Sequence, residues 1–95
     1  MKELDRILSP GKLNLPAHPG VEEIRWREFV DSVGDPALQI VVVLASATPD
    51  EDRQWSRLKP IDDEIFRVLQ EHEIREFPYV RFVTRNELAA EVAAR

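Results

Sequence analysis

The chain has 95 residues, 43% of them hydrophobic and 33% charged, the balance of one folded domain rather than of a disordered segment. Thirteen Lys and Arg against eighteen Asp and Glu leave a formal charge of −5, so the sequence lacks the concentrated basic surface that a nucleic-acid backbone requires, and no nucleic-acid partner is expected. Cysteine is absent, which excludes disulfides, thiol catalysis and thiolate metal sites and suits a cytoplasmic setting.

Residues 1–19 read as an N-terminal arm. Met1–Leu8 predicts a short helix with Leu4, Ile7 and Leu8 on one face, and it lacks the apolar stretch of a secretory leader. Ser9-Pro10-Gly11 ends it. Lys12–Pro19 reads as extended, and alternating Leu13 and Leu15 make residues 12–16 a candidate third strand at a sheet edge.

Gly20–Val33 predicts a helix, because Trp26, Phe29, Val30 and Val33 recur at helical spacing and Gly34 suits its C-terminal cap. Ala37–Ala45 is the clearest strand. Its apolar run is nearly continuous, which implies cover on both faces and a central place in a sheet. No run is long enough to span a membrane.

Thr48-Pro49-Asp50-Glu51 matches a helix capping box. The helix it introduces carries Trp55, Leu58, Ile61, Ile65 and Leu69 inward. Pro60 lies in its path, predicting a kink or a split into 49–58 and 60–72. Phe77–Val83 is a second strand with Tyr79, Arg81 and Val83 on one face. Thr84-Arg85-Asn86-Glu87 is a second capping box, followed by a helix to the C-terminus with Leu88, Ala89 and Val92 inward.

The expected fold is therefore a small α/β domain over 1–95, of two or three layers. Its order is helix, strand, kinked helix, strand, helix, around a right-handed parallel βαβ core. Ligands of such sheets bind beyond the C-terminal strand ends, which nominates Ser46, Thr48, Thr84, Arg85 and Asn86. The caps already account for both threonines, and no glycine-rich phosphate turn is present. The acidic triplets Asp50–Asp52 and Asp62–Glu64 sit on consecutive helical positions that diverge, so no metal or cofactor is expected.

Arg25-Trp26-Arg27 and the Arg53–Arg57 segment interleave arginine with tryptophan, and both tryptophans are assigned to core packing. Arg81, in an apolar strand, needs a partner, and with Tyr79 it is a candidate interface residue. Thioredoxin-like, receiver and nucleotidyltransferase signatures are all absent. No convergent catalytic set emerges. The expectation is a non-catalytic protein-interaction or self-assembly module, most simply a homodimer; the alternative is a small-ligand or enzymatic site at the strand C-terminal edge.

Overall fold

The computed structural model describes residues 2–93 as a three-stranded mixed sheet with three helices. Met1, Ala94 and Arg95, included in the expected terminal helices, lie outside the described residues. The elements are α1 (Lys2–Ile7), β1 (Val21–Val30), β2 (Pro36–Leu44), α2 (Trp55–Glu71), β3 (Phe77–Thr84) and α3 (Arg85–Ala93). Short 3₁₀ turns occupy Pro10–Lys12 and Asp50–Arg53. No helix among the described residues is long and apolar enough to cross a membrane.

The sheet order is β1-β2-β3, with β1 and β2 antiparallel and β2 and β3 parallel. β2 is central, as its apolar run implies. Leu38, Ile40, Val42 and Leu44 form the floor of the core on its inner face. Leu4, Ile7, Leu8 and Leu13 cover one part of that face, and Leu58, Ile61, Ile65, Val68 and Leu69 of α2 cover another. The short N-terminal helix is thus where its apolar spacing places it. Trp26 Nε1 donates to Asp5 Oδ1 at 2.7 Å, and His72 Nδ1 lies 3.1 Å from Glu3 Oε1, so α1 is held to both the sheet and the end of α2.

Several expectations are corrected. Residues 21–30 form a strand, not a helix. Ile24 and Trp26 face the core while Arg25 and Arg27 face away, a two-residue alternation that competes with the helical spacing of Trp26, Phe29, Val30 and Val33. An apolar β2 with only one neighbour would leave a row of backbone groups unpaired, and pairing with β1 removes that cost. Gly34 accordingly serves the hairpin turn, at φ +87°, rather than a helix cap.

The 12–16 arm adds no strand. Leu13 is buried, and the Asn14 amide donates to the Glu64 carboxylate at 2.7 Å, so the arm lies against α2 as a cover for the core. Of the two outcomes expected at Pro60, a kink or a split, the split does not occur: α2 runs as one element from Trp55 to Glu71. Pro60, the sixth residue of α2, costs the ladder the single bond that would reach the Ser56 carbonyl, and the rest of the helix continues past it. Finally, Trp55 is 56% exposed, and α3 buries none of its residues, with Leu88 half-buried and Ala89 and Val92 exposed.

Candidate functional site

Two regions hold the nominated residues: the C-terminal edge of the sheet and its outer face. At the C-terminal edge, Leu44 and Thr84 are register partners, so the β2 and β3 exits lie side by side. The antiparallel β1 starts at this edge, with Val21 opposite Leu44, and brings Glu22 and Glu23 with it. Arg85 donates to Glu22 at 3.0 Å and to Glu23 at 2.8 Å. Arg53 forms a two-pronged pair with Glu87 at 2.8 and 3.2 Å.

Thr84 and Glu87 complete the second capping box: the Glu87 amide donates to Thr84 Oγ1 at 3.2 Å, and the Thr84 amide donates to Glu87 Oε1 at 2.8 Å. The Thr84 amide and the Arg53 guanidinium hold the Glu87 carboxyl below its ordinary pKa. Arg25 and Arg85 do the same for Glu23.

The first capping box does not form. Thr48 Oγ1 donates back to the Ala45 carbonyl at 2.5 Å, Pro49 precedes the 3₁₀ turn, and α2 starts only at Trp55 after Gln54. Three consecutive acids after Pro49 tighten into the short turn instead of extending a helix. Ser46 and Asn86 are exposed at this edge. The edge is thus a lattice of mutually satisfied charges, in which the arginines that would attract an anion already hold carboxylates.

The other region is the outer face of the sheet. Strand register sets its side chains in rows: Phe29, Ala37 and Phe77; then Arg27, Gln39 and Tyr79; then Arg25, Val41 and Arg81. α3 follows β3 directly and packs over the C-terminal end of this face, where Arg81 pairs with Glu91. That pair answers the need of Arg81 for a partner, while its side chain stays half-exposed.

Beyond α3 the face is open and aromatic. The rings of Phe29 and Tyr79 are 5.6 Å apart, those of Tyr79 and Phe77 5.0 Å, and Phe77 meets Phe66 of α2 edge-on at 6.2 Å. Tyr79 is 44% exposed and Phe77 55%. Arg27 sits 5.9 Å over the Phe29 ring and donates to Gln39 at 2.5 Å. Among the described residues it meets no carboxylate. Tyr79 donates to Asp31 Oδ2 at 3.3 Å. Partial burial, with Asp31 and Asp35 close by, raises the Tyr79 pKa and keeps its hydroxyl protonated.

A hollow of about 440 Å³ opens between Arg27, Gln39 and Arg81 on one side and Asp31 on the other, floored by Phe29 and Tyr79. The hairpin that forms its acidic rim is stiff. The Asp31 carboxylate accepts from the amides of Val33 at 3.1 Å and Asp35 at 2.9 Å. The turn presents Val33, 77% exposed, with Val30 also exposed beside it.

Sequence reading found Tyr79 and Arg81 on this face but missed Phe29, Arg27 and the turn. A helical assignment of residues 20–33 hides their place across the sheet from Tyr79. The alternation Ile24-Arg25-Trp26-Arg27 was the signal that could have revealed it. No group of three or more His, Asp or Glu side chains among the described residues is arranged to hold a metal ion. Comparison with family models, with characterised proteins and with solved structures finds no match to this chain.

Proposed function

We propose that the chain is a single, non-catalytic self-assembly domain, built on a right-handed β2–α2–β3 unit, that forms a homodimer through the open part of its outer sheet face. The observation that carries this reading is the continuous strip Phe29–Tyr79–Phe77–Phe66, aromatic and partly bare. Contiguous apolar surface with a polar rim is the mark of an association surface, and aromatics with arginine are the residues that anchor such surfaces.

The strand edges suit this role less well. In a parallel ladder alternate residues turn their backbone groups to the same side, and the Thr84 amide turns to Glu87. By that alternation Pro78, Val80, Phe82 and Thr84 face the open edge of β3. Pro78 has no donor and Thr84 has spent its own, which leaves only the amides of Val80 and Phe82. The free side of β1 is guarded by alternating charges and a bulge near Glu22.

The chemistry of the face favours a second copy as occupant. Its rim is basic at Arg27 and Arg81 and acidic at Asp31 and Asp35, so a two-fold axis sets unlike charges opposite each other. A ligand site at the C-terminal edge, around Ser46, Thr48, Thr84, Arg85 and Asn86, is the weaker reading, because a ligand would have to displace Glu22 and Glu23 from Arg85.

Sedimentation equilibrium at micromolar concentration tests the proposal. The expected mass is twice the 11.0 kDa of one chain, falling to that of a single chain in Tyr79→Glu. A mass of one chain throughout the range overturns it.

A further inference from the structure

The hollow on the outer face and the turn beside it are complementary in polarity and in charge. The hollow is apolar at its floor, where Phe29 and Tyr79 lie, and Arg27 at its rim has no carboxylate partner among the described residues. The turn carries the reverse set. Val33 projects at 77% exposure, and the Asp35 carboxylate beside it has no cationic partner among the described residues.

The turn is also pre-organised. Asp31 clamps the amides of Val33 and Asp35, the Gly34 amide donates to the Asp31 carbonyl at 3.0 Å, and the Asp31 amide donates to the Asp35 carbonyl at 2.9 Å. A loop held this firmly loses little conformational entropy on docking. Nothing within the described chain uses the valine it presents.

We propose that the Asp31–Asp35 turn of a second copy fills this hollow, reciprocally about a two-fold axis, with Val33 against the partner's Phe29 and Tyr79 and Asp35 paired with the partner's Arg27. The inference rests on the self-assembly reading above and adds the occupant and its register. Asp31 and Ser32 of the turn line the hollow, so both halves of the contact adjoin on one chain; each subunit gives a knob and receives one, and the assembly closes at two. The acidic rim and the net charge of −5 disfavour the other user of an aromatic and arginine-bearing sheet face, a single-stranded nucleic acid.

The test is a charge swap read by sedimentation equilibrium, with far-ultraviolet circular dichroism to confirm folding. Arg27→Asp and Asp35→Arg should each raise the dimer dissociation constant tenfold or more, at least about 1.4 kcal/mol. The double variant should recover to within threefold of the parent. Val33→Glu, which alters the knob and leaves the turn's backbone bonds in place, should also dissociate the dimer. A dimer that survives both single swaps and Val33→Glu overturns the docked turn while leaving assembly through the face intact. Failure of the double variant to recover overturns the pairing of Arg27 with Asp35. A chain that is monomeric throughout, or that binds a fluorescent single-stranded oligonucleotide as a monomer through Arg27 and Tyr79, overturns this inference and the self-assembly reading together.

Discussion

Glu64 is the buried carboxylate on which the N-terminal arm depends. It receives Arg67 in a two-pronged pair at 2.7 and 2.9 Å and the Asn14 amide at 2.7 Å. Arg67 and the Asn14 amide hold its pKa below the ordinary value despite the opposing effect of burial. A carboxyl whose folded pKa is depressed stabilises the fold fully above its unfolded pKa, about 4.3, and loses that contribution as pH falls through the folded value. Glu64→Gln should therefore cost about 1.5–3 kcal/mol in urea denaturation at pH 7, the range for a hydrogen bond to a charged group. The difference from the parent should shrink steadily below pH ~4. An equal difference at pH 7 and pH 3 would assign the loss to packing instead. The two threonines at the strand exits, both expected to be helix caps, separate by the same logic. Thr84→Ala removes an N-cap and should cost about 1 kcal/mol, whereas Thr48→Ala removes only a turn bond to Ala45 and should cost about half as much or less. Equal losses in thermal denaturation would contradict that assignment.

At the level of elements, the sequence was most readable where one pattern had no competitor. β2 is recognisable because a nearly unbroken β-branched run suits a strand covered on both faces, and the Thr84 box marks the start of α3 without ambiguity. β1 was not recognisable because its aromatic and aliphatic residues satisfy two periods at once. Its partner β2, rather than any local preference, decides between them. The consequence reached the candidate site, since an unrecognised β1 leaves Phe29 and Arg27 without neighbours. The two faces of β2 also differ more than a continuous apolar run suggests. Ile40, Val42 and Val43 are fully buried, but Val41 is half-exposed between Arg25 and Arg81. Val42→Asp should cost several kcal/mol and abolish the cooperative unfolding transition. Val41→Asp, with two guanidiniums as register neighbours and access to water, should retain a folded chain. Loss of the transition in both variants would show that α3 seals the outer face more tightly than the exposure of Val41 indicates.

Across the whole molecule, burial is uneven between the two faces of the sheet. The inner face of the sheet carries the core, closed by α1, the arm and α2, while α3 shelters the outer face at one end and buries none of its own residues. A domain this small covers a limited share of its surface alone, and the uncovered aromatic strip is where further burial is available. The ion-pair lattice of the C-terminal edge and the aromatic strip at the far end divide the sheet between a closed pole and an open one. That polarity was not legible in the sequence, because it depends on β1 running back to deliver Glu22 and Glu23 to one pole and Phe29 to the other.

The central place of β2 has a consequence for how the chain is made. β1 and β2 meet through a turn of residues 31–35, a local closure of the kind completed in about 1–10 μs, whereas β3 joins only after residues 45–76 have been spanned. Pairing across that separation carries a larger entropic barrier and sets a slower clock. On a translating ribosome α1, the arm and the hairpin therefore emerge before the rest, with the part of the inner face that α2 covers still bare and the β3-facing side of β2 unpaired, until α2 and β3 arrive. The interval between those events is when a nascent chain of this topology is most open to mispairing with its neighbours and most in need of a chaperone.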